Sequence, residues 1–317
     1  MSILFHTLAF IVACFFLIFC GRHLIDSLSK ISRFLNWKEF VVAFFLMALG
    51  VSLPNFFVGI TSAFNKIPQL SLGDIIGGNI IDLSIVVGLA ALVSRGGLTA
   101  ASSTVQETAI FTVFIAILPL LLISDMTLSR FDGLILILAF VFYTFWLFSK
   151  KDRFTKIYDK IKEPKSFGFF LKNLGCFFGS FIVVLLSANF IVASAKFFAS
   201  YFSLPLTVIG IFIIGLGNSL PEMFFSLQAA RRGQDWLMLG DLMGGVIITA
   251  TLVLGIVSLI CPIKITNFSD IAIGRGFLAL SAIFFLIFIR SGRKITKREG
   301  IFLVLIYIAF LTVEILF

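Results

Sequence analysis

The chain has 317 residues, of which 60% are hydrophobic and 13% charged, and its mean hydropathy is +1.12. This composition excludes an ordinary soluble domain, because so much apolar surface cannot be buried in one core and must face lipid. The net charge of +9 is explained by the connections between membrane spans, so it implies no nucleic acid or acidic partner.

Apolar stretches of about 20 residues, the length that crosses a bilayer core of roughly 30 Å, occur ten times along the chain. They lack the alternation of a lipid-facing barrel and therefore predict α-helices. The predicted spans are 3–20, 39–64, 71–94, 104–124, 128–149, 168–193, 203–230, 236–261, 270–290 and 299–316. We interpret the first span as a retained helix and not a cleaved signal sequence, because no Lys or Arg precedes it.

Basic residues are distributed unequally between the connections. Of the 25 Lys and Arg, 19 lie in the connections after spans one, three, five, seven and nine. The positive-inside rule therefore predicts that these connections are cytoplasmic and that both termini are outside. The longest one, Lys150 to Lys165, has 16 residues and is too short for a separate domain. Together with the lack of lipidation or retention signals, it indicates a prokaryotic inner membrane.

Zinc-binding and disulfide patterns are missing from the sequence. The four cysteines are spread over the chain without a CxxC or Cys/His cluster, so neither a disulfide framework nor a zinc site is indicated. We predict no cofactor, and the sequence does not indicate an oligomeric state.

Residues 48–89 recur without a gap as residues 215–256, at an offset of 167. Of the 42 aligned positions 17 are identical, and they concentrate on Gly, Ser, Pro and Asp. Because five predicted spans separate the copies, the second enters the membrane inverted. The alternative is a duplication kept for helix packing alone, since Gly lets helices approach closely, but packing does not require matched polar residues.

We therefore predict an all-α integral membrane protein with ten transmembrane helices in two inverted five-helix repeats. The repeats are residues 1–149 and 168–317, and 150–167 forms the cytoplasmic connection between them. The segments 39–94 and 203–261 contain the duplicated motifs.

A proline interrupts the middle of one span in each copy, Pro54 in the second and Pro221 in the seventh. Proline removes a backbone donor and clashes with the preceding turn, so helices two and seven are predicted to be broken. Carbonyls freed in this way are tolerated in a membrane where they face a cavity or bind a cation. The alternative is an ordinary kink whose carbonyls are satisfied by a neighbouring helix.

Two acids fall near the centre of predicted spans, Glu222 directly after the second proline and Asp82 in the third span. A carboxylate at the bilayer centre costs at least ~2.5 kcal/mol and by default indicates a function. Their counterparts in the repeat are Asn55 and Thr249. Further polar residues nearby are Ser52, Ser219, Asn218 and Asn79. This belt of oxygen ligands suits hard cations such as Ca²⁺ and Na⁺. The alternative is that both acids are protonated and structural.

Asp74 and Asp241 are another matched pair, about 12 Å before the belt on spans three and eight. Because these spans run in opposite directions, Asp74 is expected toward the outer mouth and Asp241 toward the inner one. Two interpretations remain open here: a vestibule for the transported ion, or caps of the two helix N-termini.

The doubled motif G-x-S-L-P-[E/N], followed by G-D-x-x-G-G-x-I, resembles the alpha repeats of the cation/calcium antiporter superfamily, particularly sodium/calcium exchangers. The resemblance implies a secondary active antiporter, and no enzyme, that exchanges Ca²⁺ or a similar hard cation for Na⁺ by alternating access. Its only ligands would then be the transported ions, and its surroundings the lipid bilayer. It places the central cation-binding positions at Asn55 and Glu222, with Asp82 and Thr249 as their partners. The remaining ligand positions are the side chains of Ser52, Asn218 and Ser219, and the backbone carbonyls of Ala48, Val51, Gly215 and Asn218.

The sequence departs from the usual pattern of these repeats. Asn55 replaces a Glu, Thr249 replaces an acid, and Asp82 stands where Asn is frequent. The central belt thus keeps two carboxylates, which balance one Ca²⁺, two Na⁺ or two H⁺. Proton-coupled or sodium-only exchange by the same fold is one alternative, and a cation channel is another. A membrane hydrolase is disfavoured, because Ser52 and Ser219 have no activating base in the motif.

Overall fold

The computed structural model describes residues 3–34, 52–149 and 167–316, and these are almost entirely helical. The helices are α1 (Ile3–Phe34), α2 (Leu53–Phe64), α3 (Gln69–Val93), α4 (Ser103–Leu122), α5 (Arg130–Ser149), α6 (Phe167–Phe202), α7 (Leu206–Leu220 and Glu222–Arg231), α8 (Asp235–Ile260), α9 (Ser269–Arg290) and α10 (Lys297–Leu316). Four two-residue strands accompany them: β1 (Leu98–Thr99), β2 (Thr127–Leu128), β3 (Ile263–Lys264) and β4 (Lys294–Ile295).

Seven of the described helices are long and apolar enough to cross a bilayer, and α7 makes an eighth if its two parts count as one span. The all-helical membrane class predicted from composition is therefore confirmed. The first half of the predicted second span and the connection between the repeats lie outside the described residues.

α1 and α6 are longer than the predicted spans 3–20 and 168–193. The sequence scan detects only the apolar length that lipid requires, whereas backbone hydrogen bonding continues the helix into polar sequence. In α1 this extension contains a salt bridge one turn apart, in which Lys30 Nζ lies 2.7 Å from Asp26 Oδ2. The predicted spans 3–20 and 168–193 therefore ended before the helices do, in polar sequence for α1 and in the largely aromatic stretch 194–202 for α6.

The predicted break of helix seven is present as a kink at Pro221. The two parts of α7 bend by 44° between Leu220 and Glu222, but the backbone remains helical throughout Gly215–Arg231. Proline fixes φ near its helical value, so its main effects are the loss of one donor and a steric kink. Pro54 occupies the first turn of α2, a position where its missing N–H has no helical partner to lose.

The 167-residue offset of the sequence recurs in the secondary structure. α5 (Arg130–Ser149) has its counterpart in α10 (Lys297–Leu316), and a π-helical turn at Asp82–Val86 in α3 has its counterpart at Thr249–Val253 in α8. The strands pair antiparallel, β1 with β4 and β2 with β3. Each small ladder thus joins one half of the chain to the other.

Three apolar clusters organise the packing of the described helices. α1 lies along α6, and together with faces of α2 and α7 they form one cluster. The largest cluster unites α3, α4, α8, α9 and α10, and a small third cluster joins α4, α5 and α8. α3 and α8 are the most deeply buried of the candidate spans, with 83% and 72% of their apolar windows inside the protein. The two π turns therefore lie on the central helices.

Glycines bring α3 and the first part of α7 into backbone contact. A Cβ at Gly73 would stand 2.0 Å from the carbonyl oxygen of Thr207, and one at Gly77 would stand 2.2 Å from that of Ile211. Only glycine fits at either position, as at close helix crossings in membranes. This contact places the middle of α3 directly beside the duplicated motif of α7.

Candidate cation-binding site

The two matched residues of the belt begin the two π turns. Asp82 opens the turn in α3 and Thr249 opens the turn in α8. Both side chains are buried. A π turn inserts one residue into the helical repeat and commonly marks a functional site. The sequence predicted the two residues but gave no sign of this backbone feature.

Asp82 meets Glu222 at the centre of the protein. The side chains of these two acids lie close enough to each other to interact. Within the described chain, Asp82 Oδ1 is buried without a hydrogen-bond partner. Two carboxyl groups can share a hydrogen bond only when one of them carries a proton. The same pair in its ionised form presents two negative ligands to a cation.

The Thr249 hydroxyl is within hydrogen-bonding distance of three oxygen atoms. It lies 3.0 Å from Asn79 Oδ1, 3.0 Å from the carbonyl oxygen of Gly245 and 3.2 Å from that of Val246. The contact with Asn79 joins α8 to α3. Asn79 accepts this hydrogen bond through Oδ1. Its Nδ2 is buried without a partner in the described part of the chain.

Gly78 brings polar side chains from both repeats together. A Cβ at Gly78 would lie 3.4 Å from Ser219 Oγ and 3.9 Å from Asn55 Nδ2. Ser52 is also fully buried, and its Oγ has no partner among the described residues. Asn55 and Ser219, predicted as ligands from matched motifs, therefore approach the same short stretch of α3.

The predicted backbone ligands are only partly described. Ala48 and Val51 lie outside the described residues. Gly215 packs against α3 so closely that a Cβ would stand 3.0 Å from the backbone nitrogen of Gly78. No group of three or more His, Cys, Asp or Glu that could hold a metal occurs in residues 3–34, 52–149 and 167–316. A cation here would thus combine carboxylates with amide, hydroxyl and carbonyl oxygens.

Asp74 and Asp241 are not helix caps, and that interpretation was wrong. α3 begins at Gln69 and α8 at Asp235, so both acids lie beyond the first turn, where the orphan N–H groups of a helix end. Asp74 is fully buried, and both its carboxylate oxygens accept from Asn218 Nδ2 at 3.1 Å. The amide nitrogen of Asn218 therefore faces Asp74.

Asp241 instead lines a cavity of about 560 Å³. The cavity also reaches Asn218 and Glu222, and its more exposed walls carry Arg22 and Arg232. The cavity therefore extends from Glu222, one of the two central acids, to the exposed arginines Arg22 and Arg232. The vestibule interpretation fits Asp241, whereas Asp74 lies in a closed environment.

Arg275, to which the sequence assigned no role, links α9 to α4. Its Nη2 donates to the carbonyl oxygen of Leu120 at 2.6 Å, and the guanidinium lies 5.0 Å from the ring centroid of Phe268. The contact satisfies a carbonyl near the end of α4, where the helix offers no donor. An isolated Arg inside a predicted span was the only sequence signal for it.

Comparison with known proteins gives consistent matches over nearly the whole chain. A family model described as sodium/calcium exchanger protein matches residues 5–149 and 172–316. The sodium/calcium exchanger MaX1 of Methanosarcina acetivorans is 26% identical, over 94% of this chain and 95% of that protein. The inner membrane protein YrbG of Escherichia coli is 24% identical, over 94% and 93% of the two chains.

The fold also matches solved structures. A structure of the sodium-calcium exchanger NCX_Mj, soaked with Na⁺ and Sr²⁺, superposes with a TM-score of 0.64 at 23% identity, covering 98% of this chain and 99% of that one. At this identity the match shows a shared fold.

Proposed function

Because the chain belongs to the sodium/calcium exchanger protein family, a family of transporters and not of enzymes, we propose that it exchanges Ca²⁺ or a similar hard cation for Na⁺ by alternating access. One observation carries this proposal. Asp82 and Glu222, contributed by the two halves of the chain, come together where the buried helix α3 meets α7 beside the cavity. Two carboxylates brought together inside a membrane favour a bound cation.

The proposed architecture is two inverted repeats, residues 1–149 and 168–317, with ten spans. The equal spacing of the helices and of the π turns supports it, as does the reciprocal pairing of β1 with β4 and β2 with β3. The family model, too, matches the chain in two segments that begin 167 residues apart. The basic connections would face the cytoplasm, with both termini outside and the cavity open to the cytoplasmic side.

In the proposed site, Glu222 and Asp82 supply the charge. Neutral oxygens would come from Asn55, Thr249, Ser52, Ser219 and Asn218, with Asn79 in support. Ca²⁺ takes six to eight oxygen ligands, so the carboxylates need these neutral groups and nearby carbonyls. Two carboxylates balance a single Ca²⁺, which favours an exchange close to electroneutral.

A proton in place of Na⁺ is a second candidate counter-ion. The closeness of Asp82 and Glu222 supports it, because a proton shared between two adjacent carboxyl groups relieves their repulsion when no metal is bound. Entry of a cation would then release that proton from the pair. Asn55 cannot contribute to this exchange, because its amide does not titrate.

Transport in proteoliposomes tests both candidates. Tracer Ca²⁺ uptake is measured while gradients of Na⁺, K⁺ and H⁺ are imposed one at a time. We expect an outward Na⁺ gradient to drive uptake, whereas an outward H⁺ gradient that drives it alone would favour the second candidate. Uptake without stimulation by any opposing ion would indicate a channel and contradict antiport.

Glu222→Gln links the transport to the site, with Asp26→Asn as a matched control. Asp26 lies on the exposed part of α1 and pairs only with Lys30 among the ion pairs of the described residues. We expect Glu222→Gln to abolish gradient-driven uptake and Asp26→Asn to retain it. Unchanged uptake in Glu222→Gln would contradict the site.

A further inference from the structure

Asn79 and Asp82 each present a buried polar atom without a partner on the same side of α3. Asn79 Nδ2 and Asp82 Oδ1 have no hydrogen-bond partner among the described residues, and the two side chains are only 2% and 4% exposed. Residues three apart on a helix project from the same face. Because a buried donor or acceptor without a partner is unfavourable, these atoms indicate a place where α3 contacts a group from outside the chain.

The two atoms differ in what they can bind. A carboxylate oxygen of Asp82 accepts a hydrogen bond or binds a cation, whereas the amide nitrogen of Asn79 only donates. Glu222, which lies beside Asp82, adds a second carboxylate on the same site. A cation held by the two carboxylates would therefore meet an N–H group of Asn79, unless the amide turns over.

Thr249 allows this amide to turn over. Its hydroxyl lies 3.0 Å from Asn79 Oδ1 and 3.0 Å from the carbonyl oxygen of Gly245. A hydroxyl has one proton to donate and two lone pairs with which to accept. When it donates to Gly245, one turn earlier in α8, its oxygen can accept from Asn79 Nδ2. A half-turn of the amide exchanges Nδ2 and Oδ1 with almost no change of shape.

The repeat counterparts of Asn79 and Asp82 offer a different chemistry. They are Val246 and Thr249, both buried on α8. Val246 has no polar side-chain atom, and the Thr249 hydroxyl already lies within hydrogen-bonding distance of two carbonyl oxygens of its own helix. Of these four matched positions, the two on α3 therefore have the oxygens best suited to a cation.

We propose that Asn79 is a direct cation ligand, whose amide turns so that Oδ1 faces the cation and Nδ2 donates to the Thr249 hydroxyl. This assignment rests on the proposed function and refines its site. Asn79 changes from a supporting residue to a ligand, and Thr249 also serves as its positioning residue. Both ends of the turned amide have partners, and amide oxygens are ordinary ligands of Ca²⁺.

A change of metal preference tests direct coordination. The four native cysteines of the full-length protein are first replaced by alanine: Cys14, Cys20, Cys176 and Cys261. Asn79→Cys then puts sulfur in place of the amide oxygen, and sulfur favours the soft ion Cd²⁺ over the hard ion Ca²⁺. Thr251→Cys is the matched control, because Thr251 is buried in the π turn of α8 and its hydroxyl bonds the carbonyl of Ile247.

Equilibrium binding of Cd²⁺ and Ca²⁺ to the purified protein measures the preference. We expect Asn79→Cys to raise the ratio of Cd²⁺ to Ca²⁺ affinity by at least about 100-fold. The ultraviolet charge-transfer absorption of a thiolate bound to Cd²⁺ should accompany this change. Thr251→Cys should change neither the ratio nor the absorption.

A double-mutant cycle tests the positioning role of Thr249. Asn79→Leu removes the amide at nearly the same volume, and we expect it and Thr249→Val each to weaken Ca²⁺ binding about tenfold or more. The double variant should bind no more weakly than Asn79→Leu, because Thr249 acts through Asn79. Thr249→Ser keeps the hydroxyl and should restore binding. Effects that multiply in the double variant would refute the positioning role.

An unchanged metal ratio in Asn79→Cys, in protein that elutes and melts as a folded species, would overturn the ligand role of Asn79. If Asn79→Cys does not fold, Asn79→Asp decides, since a carboxylate facing the cation should strengthen Ca²⁺ binding relative to Na⁺ about tenfold, and an unchanged ratio refutes the ligand. Binding is measured without transport, so the two proposals fail separately. A shifted metal ratio without Ca²⁺ exchange for Na⁺ refutes only the exchange, and exchange without the shift refutes only the ligand.

Discussion

α3 and α8 have nearly the same backbone but carry different chemistry. Each contains a five-residue π turn at the same position of the repeat. Asp82, at the start of one turn, lies beside Glu222 and has an oxygen without a partner in the described chain, whereas the Thr249 hydroxyl is within hydrogen-bonding distance of three oxygens. The two copies thus share the same backbone feature, but only the π turn of α3 contains an ionisable side chain.

The largest expected effect comes from removing charge at Asp82. Asp82→Asn leaves a bound Ca²⁺ with one carboxylate instead of two, and loss of one partner of a buried ion pair costs roughly 3–5 kcal/mol. The apparent Ca²⁺ affinity should fall by at least about 100-fold. Ca²⁺ titration of tracer uptake measures this, with Asp26→Asn as the surface control.

Thr249→Asp in the Asp82→Asn background tests whether the two π turns are equivalent ligand positions, because it moves the carboxylate from α3 to the matching place on α8. Partial recovery of Ca²⁺ affinity would show that the two turns are interchangeable as ligand positions. If Asp82→Asn alone binds Ca²⁺ normally, the asymmetry between the turns has no consequence for binding.

The next effect concerns stability and two glycines in different surroundings, Gly77 at the contact of α3 with α7 and the exposed Gly276 of α9. Gly77→Ala places a Cβ 2.2 Å from the carbonyl oxygen of Ile211, while Gly276→Ala meets no atom of the described residues within 4 Å. Overpacking of this kind costs about 1–3 kcal/mol, whereas alanine in an exposed helical position gains roughly 0.5–1 kcal/mol. Thermal unfolding in detergent should therefore show a lower Tm for Gly77→Ala only. Equal melting temperatures would contradict the close backbone contact between α3 and α7.

Sequence reasoning predicted the features that depend on composition and matched residues. Apolar length predicted the membrane helices, and the duplicated motif singled out Asp82 and Glu222, which the structure brings together. Both predictions follow from large free-energy costs, because unpaired backbone N–H and C=O groups and isolated charges are unfavourable in lipid. The same reasoning reached Asn55 and Ser219 through their repeat counterparts.

Features that depend on packing could not be predicted. The π turns leave no composition signal, and the partnership of Asp74 with Asn218 depends on how α3 crosses α7 through its glycines. A kink or an unwound turn was predicted at the proline of α7, and only the structure shows that the backbone stays helical through the bend. The predicted ends of α1 and α6 came too early, since hydrophobicity does not determine where backbone hydrogen bonding stops.

A smaller effect is expected at the hydroxyl of Thr249. Thr249→Val leaves Asn79 Oδ1 buried without its donor, at a cost of about 1–3 kcal/mol. Thr251→Val is the matched control, because this buried hydroxyl bonds only the carbonyl of Ile247 one turn earlier in α8. The Tm should fall more for Thr249→Val than for Thr251→Val. The reverse order would show that the contact between α8 and α3 contributes little.

The smallest effect is expected at the mouth of the cavity, where Arg232 stands at the position that Asn65 holds in the first repeat. Arg232→Asn makes the two copies alike and removes a positive charge from the path of an entering cation. Because rim charges act mainly on association rates, Ca²⁺ entry from this side should accelerate about twofold to threefold at low ionic strength. The gain should disappear at high salt, since screening shortens the reach of an exposed charge. Arg290→Asn, at the end of α9 and outside the cavity lining, is the control, and initial uptake rates at two salt concentrations measure the difference. A gain that persists at high salt would point to a steric role of the Arg232 side chain in the open mouth.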